Sequence, residues 1–168
     1  VFVLPNNKNI IMAANQAKLV SQEKEVIVIE SKTIPQGVSA MLCFDPSSSA
    51  EDNKAAMEEA LTAVKTGQLT YAARDSVFDG KEIKEGQILG LVENKVTFTG
   101  DSMEDSLVEV MGALITADSE IATIYYGSDV NEDTAQAMSQ MLEDKFPEME
   151  ITLVYGGQPI YYYLISAE

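Results

Sequence analysis

With 168 residues and 46% hydrophobic content, the chain is long enough to bury a core without a disulfide or metal staple. Its 27 acidic and 11 basic residues leave a net charge of −16, which repels nucleic-acid phosphates and anionic membrane surfaces. No apolar run approaches the roughly 20 residues of a membrane span, and the single cysteine, Cys43, forbids an internal disulfide and fits a reducing, cytoplasmic setting.

The chain begins at Val1 with neither a methionine nor a charged leader, as expected of a piece of a longer protein. Val1 to Leu4 is a continuous apolar run and predicts a strand covered on both faces. Pro5-Asn6-Asn7 breaks it, and Ile10, Ala13, Ala14 and Ala17 then recur at helical spacing, with small side chains suited to close packing on a sheet. Val26 to Ile29 predicts a second buried strand. The connection is long enough for a right-handed crossover, so the two strands are expected to be parallel.

Ser48-Ser49-Ala50-Glu51 has the form of a capping box, with Met57, Ala60, Leu61 and Val64 behind it as one helical face. The middle of the chain changes character. Leu69 to Ala73, Glu82 to Ile83, Ile88 to Val92 and Val96 to Thr99 are short strand-like runs, and Asp79-Gly80 is a hairpin-turn pair. Together they predict an antiparallel meander inserted between two α/β parts. Met103, Leu107, Val110, Met111 and Leu114 then mark a helix face, and Ile121 to Tyr126 a strand. Asn131 is placed to cap a helix whose buried stripe is Ala135, Met138, Leu142 and Phe146, ended by Pro147. Ile151 to Tyr155 and Ile160 to Ile165 read as the last two strands, joined by Gly156-Gly157-Gln158-Pro159. The expected fold is α/β, with mostly parallel sheets, crossover helices and the inserted meander. It forms one domain over 1–168, or two lobes over 1–100 and 101–168.

The residue inventory limits the chemistry. Without a histidine there is no Ser-His-Asp arrangement and no His-ligated zinc site. No GxxxxGK[ST] phosphate loop occurs, and no G-x-G-x-x-G follows a strand. Cys43, between Leu42 and Phe44, reads as a small core side chain. The acidic residues Asp101, Glu104 and Asp105 sit at an expected helix start, where carboxylates are favoured without any metal. No catalytic residue, metal ligand or cofactor site is therefore assigned within the chain.

Two polar clusters remain as candidate partner- or ligand-binding residues. Asn6, Asn7, Lys8 and Asn9 follow the first strand, where open α/β sheets place their ligands; Asn6 or Asn7 is equally suited to cap the helix. Thr33, Pro35, Gln36 and Gly37 form a polar loop after the second strand and should lie beside the first cluster. Lys8 opposes the helix dipole, and Gln36 has less evident structural reason to be polar than the asparagines.

Four segments occur in order and at similar spacing along the chain: Leu4-Pro5-Asn6-Asn7-Lys8-Asn9-Ile10, Lys32-Thr33-Ile34-Pro35-Gln36-Gly37, Tyr71-Ala72-Ala73-Arg74-Asp75-Ser76 and Gly156-Gly157-Gln158-Pro159. The combination resembles the C-terminal region of the dihydroxyacetone-kinase-like proteins that serve as the ATP-binding subunit of bacterial fatty acid kinase. One departure is Glu30-Ser31, where similar sequences usually carry a proline. The resemblance implies a DegV-like fold and a non-catalytic domain in lipid metabolism that docks a DegV-like fatty-acid-binding protein. The partner's acyl carboxylate would be phosphorylated by an ATP-binding domain elsewhere in the full protein, where Mg-ATP is expected. A middle region would contribute to catalysis and dimerisation. The resemblance also adds Arg74 to the candidate binding residues. The alternative is a small-ligand module that itself takes an acyl chain or carboxylate near Asn7, Lys8 and Gln36.

Overall fold

The computed structural model describes residues 1–78 and 81–168, so the expected turn at Asp79-Gly80 lies outside the described residues. The chain divides into two compact units, Val1–Val64 and Lys65–Glu168. The boundary is at 64/65 and not at 100/101, because the meander hydrogen-bonds to the last strand of the chain.

The N-terminal unit contains β1 (Phe2–Val3), α1 (Lys8–Val20), β2 (Ile27–Val28), α2 (Ile34–Leu42) and α3 (Ala50–Ala63). β1 and β2 pair in parallel, as the crossover connection requires. Ile27, Ile29, Ala40 and Met57 form its core, with Phe2, Leu4 and Leu61 packed against them. α2 replaces the polar loop expected after β2. Its start is nonetheless written in the sequence: Thr33 accepts the Gln36 N–H as N-cap, and Pro35 lies in the first turn, where its missing N–H costs nothing. The cap of α3 falls one residue later than expected, with Ser49 accepting from the Asp52 N–H and donating to the Asp52 carboxylate. Cys43 is exposed at the end of α2, not a core residue, because the helix stops there and its side chain falls outside the packed face.

The C-terminal unit contains β3 (Lys65–Tyr71), β4 (Ser76–Phe78), β5 (Lys81–Ile83), β6 (Ile88–Val92), β7 (Lys95–Gly100), α4 (Met103–Leu114), β8 (Ile121–Tyr126), α5 (Glu132–Lys145), β9 (Glu150–Tyr155) and β10 (Tyr163–Ala167). Six strands form one sheet in the order β7-β6-β3-β10-β8-β9, and β4 pairs with β5 separately. The α/β class is as expected, but strand direction in this sheet differs from the mostly parallel expectation. Among the described residues, four of its five pairings are antiparallel and β8–β9 is parallel. An apolar run reports that a strand is covered on both faces; it carries no record of direction.

β10 begins at Tyr163, three residues later than expected, because Ile160 turns the chain through a left-handed φ of 73°. Its five residues are all buried. Leu107, Val110, Met111 and Leu114 of α4 and Ala135 and Leu142 of α5 close the core. The Tyr163 hydroxyl is buried without a hydrogen-bond partner, and burial pushes its pKa up to about 12.

α4 approaches the sheet where β3 and β6 carry Gly67 and Gly90. A Cβ on Gly90 would stand 2.5 Å from a Val110 methyl carbon, so that methyl occupies the space a side chain would need. Gly90→Ala is expected to destabilise the chain by about 1–3 kcal/mol through overpacking. Adding Val110→Ala should recover part of that loss, since the two changes share one contact. Urea denaturation of the single and double variants measures it; additive losses would contradict this packing.

Candidate functional site

The candidate residues of the N-terminal unit are joined by hydrogen bonds that start from β1 and β2. Asn6 adopts a left-handed φ of 54°, which asparagine tolerates better than most residues. Its N–H donates to Ser31 Oγ at 3.0 Å, and Ser31 Oγ donates back to Asn6 Oδ1 at 2.7 Å. Ser31 is fully buried, so this exchange ties together the two loops that leave the parallel strands. Gly37 completes the junction: any Cβ there would collide with the Asn6 carboxamide.

Asn7 is the N-cap of α1, its Oδ1 accepting the Asn9 N–H at 2.9 Å. Thr33 caps α2 and Pro35 lies buried in its first turn. Gln36 is 8% exposed and is the bracing residue of the cluster. Its Oε1 accepts the Lys32 N–H at 2.8 Å, and its Nε2 donates to the Leu61 carbonyl at 3.2 Å. The expectation that Gln36 has less structural reason to be polar than the asparagines is therefore corrected: it bridges the β2–α2 loop to the end of α3. Lys8 and Asn9 are exposed in the first turn of α1. Asn6, Ser31 and Gly37 are brought together, with Gln36 one residue away in the chain, while Lys8 points to no described partner.

Asn53 is a polar residue to which no sequence signal had pointed. Buried in α3, it accepts the Asp45 N–H at 2.7 Å and donates to the Asp45 carbonyl at 2.8 Å, fixing the α2–α3 loop. In the same loop the Ser47 amide and hydroxyl and the Ser48 hydroxyl hold the Asp45 carboxyl below its usual range.

The other two motifs lie in the C-terminal unit. Arg74 is exposed after β3. Beside it, the Glu85 amide and then the Lys84 ammonium hold the Asp75 carboxyl below its usual range. The Gly156–Pro159 segment crosses the carboxyl end of β8: Gln158 Nε2 donates to the Tyr125 carbonyl at 2.9 Å, and the Gly156 N–H donates to that of Tyr126 at 3.0 Å. The Ser128 N–H returns a bond to the Gln158 carbonyl at 3.0 Å, so this motif is a clamp built from backbone groups and the Gln158 side-chain amide.

Among the described residues of this unit, two of the cavities bear on binding. One, of about 180 Å³, is mostly apolar and is lined by Met103, Val130, Met138, Tyr162 and Tyr163. The other is a wider groove of about 600 Å³ between α5 and strands β8 and β9. Among the described residues no group of three or more cysteine, aspartate or glutamate side chains is placed to hold a metal, and no helix is long and apolar enough to cross a membrane.

The bracing role of Gln36 has a measurable consequence. Gln36→Ala leaves the Lys32 N–H and the Leu61 carbonyl without these bonds and should cost about 1–3 kcal/mol of stability. Lys8→Ala should change it by less than about 0.5 kcal/mol. Urea unfolding followed by circular dichroism distinguishes them; a wild-type midpoint for Gln36→Ala would contradict the bracing role.

A family profile for the C-terminal region of FakA-like fatty acid kinase proteins matches residues 1–168. The chain is 44% identical over 168 residues to Protein YloV of Bacillus subtilis, covering 100% of this chain and 30% of that protein. It is 40% identical over 166 residues to an uncharacterized Staphylococcus aureus protein, covering 99% of this chain and again 30% of the relative. The chain thus spans about 30% of the length of these curated relatives. Among solved structures it is similar to the DegV family protein Cg2579 of Corynebacterium glutamicum, with TM-score 0.66 and 16% identity over 99% of this chain and 74% of that one. It is also similar to the Streptococcus pneumoniae Fatty Acid Kinase (Fak) B3 protein, solved loaded with linoleic acid, with TM-score 0.64 and 14% identity over 99% of this chain and 70% of that one. At these identities the likeness shows the fold, which is DegV-like.

Proposed function

The chain belongs to the FakA-like C-terminal family of fatty acid kinase proteins, and on that premise we propose that it is the partner-docking domain of a two-component fatty acid kinase. In this reading it performs no catalysis itself. It engages a DegV-family fatty-acid-binding protein, whose acyl carboxylate is phosphorylated by a Mg-ATP-binding domain elsewhere in the full protein. The family match across the whole chain carries the reading. Two features support it. The chain has no histidine and no phosphate-binding loop of the GxxxxGK[ST] type. The polar residues after β1 and β2 cap helices and brace loops, which builds a rigid surface and not an array of reacting groups.

A net charge of −16 gives the domain a long-range field that speeds encounter with a basic face on a partner. Turnover requires the partner to leave and reload, so the complex should be of moderate affinity. The small-ligand alternative draws on a different observation: the mostly apolar cavity lined by Met103, Val130, Met138 and Tyr162, with Asn131 and Thr134 as polar groups, suits a small molecule with an apolar body.

Surface plasmon resonance of the chain against an acyl-loaded DegV-family protein from the same bacterium tests the docking reading. A dissociation constant on the order of micromolar is expected. It should weaken as salt rises above about 0.1 M, where the Debye length falls below roughly 10 Å, and Mg-ATP should leave it unchanged. Undetectable binding at both low and high salt, by a chain shown to be folded by circular dichroism, would contradict docking and favour the small-ligand alternative.

A further inference from the structure

β9 is the last strand of the six-stranded sheet, and among the described residues it pairs on one side only, with β8. The Glu150 and Gly156 N–H groups donate to the carbonyls of Glu120 and Tyr126, so the even-numbered residues of β9 turn their backbone toward β8. By the two-residue period of a strand, Ile151, Leu153 and Tyr155 turn their N–H and C=O groups to the open side. Sheet edges are usually blunted by lysine, proline, a bulge or a very short strand. β9 has none of these: it reads Glu150-Ile151-Thr152-Leu153-Val154-Tyr155, six residues in unbroken register with β8.

The groove of about 600 Å³ lies on the α5 side of this edge. Ile151 and Leu153 give it an apolar floor. Tyr126 and Tyr155 line it side by side at a centroid distance of 5.1 Å, and the exposed Tyr155 ring is available to a cation. Glu132 and Glu143 of α5 supply two carboxylates, and no lysine or arginine lines the groove. The negative field reaches its floor: the Tyr126 phenol is held above its usual range by burial first and then by the Glu132 carboxylate.

Charge decides between possible occupants. A second copy of the chain would bring its own Glu132, Glu143 and Glu150 to the same place, and like charges across an interface are repulsive. An extended segment carrying arginine or lysine meets opposite charge, an exposed aromatic ring and a row of outward-facing backbone donors and acceptors together. We propose that the β9 edge and its groove form a strand-addition site for a basic, extended segment of a protein partner. That the segment belongs to a protein partner rests on the docking reading; the surface itself does not.

The probe is a short acetylated peptide in which arginine alternates with valine, titrated into the ¹⁵N-labelled chain and followed by NMR. Shifts should centre on the amides of Ile151, Leu153 and Tyr155, whose hydrogen exchange should slow in the complex. The double substitution Glu132→Lys with Glu143→Lys, both on the solvent side of α5, should weaken binding at least about tenfold. A peptide of equal charge interrupted by prolines cannot add a strand and should bind far more weakly. Absence of shifts in β9, equal binding by the proline peptide, or unchanged affinity of the double variant would each overturn the proposal. The outcomes separate from those of the docking test. Partner binding without any peptide response in β9 removes this site and leaves docking intact, whereas a β9 response without partner binding does the reverse.

Discussion

β10 holds the larger unit together. Its five residues pair antiparallel with β3 on one side and β8 on the other, and every one is buried. The sheet order gives the meander β3-β6-β7 and the parallel pair β8-β9 this strand as their common neighbour. Tyr163 and Ile165 lie in the core closed by α4 and α5, and Leu164 and Ser166 are buried on the opposite face. A strand covered on both faces and bonded along both edges removes the most apolar surface and the most backbone polar groups from water at once.

Much else follows from where β10 lies. The Gly127 N–H donates to the Tyr162 carbonyl, so the approach to β10 also fixes the carboxyl end of β8. The Gly156–Pro159 clamp is the path the chain must take from the end of β9 back into the middle of the sheet. With β10 between β3 and β8, β9 is left on the outside, and α5 packs beside it to make the groove. In the N-terminal unit the corresponding work is done by side chains: two parallel strands of two residues each are too short to fix their own loops, and Asn6, Ser31 and Gln36 do so.

Local pattern made most elements legible. The periodicities around Ala14, Met57, Leu107 and Leu142 marked four helices, and Ile121 to Tyr126 was delimited to the residue. Asn131 was recognisable as a cap because capping acts within three residues. α2 was hidden behind its own polar start, although Thr33 followed by Pro35 is itself a helix-start signal. What stayed out of reach was non-local. The antiparallel meander β3-β6-β7 was legible from its short runs and turns, but nothing in Tyr163–Ala167 tells that its neighbours are β3 and β8, and so neither the antiparallel pairing of β10 nor the unit boundary was. Gln36 was misread for the same reason: its partner carbonyl, that of Leu61, is 25 residues away. Each of the four motifs that carried the family resemblance contains a hydrogen bond that ties down a loop.

Native-state hydrogen exchange measured by NMR tests the role of β10 most directly, because exchange protection follows local opening free energy. The account predicts that the amides of Leu164 to Ala167, with those of β3 and β8 bonded to them, are the slowest in the C-terminal unit and open in a single cooperative event. β9 amides should exchange faster, and those facing its open side fastest of all. If β10 exchanges as fast as that open edge, or opens while β3 and β8 stay protected, it does not hold the sheet together and the account is contradicted.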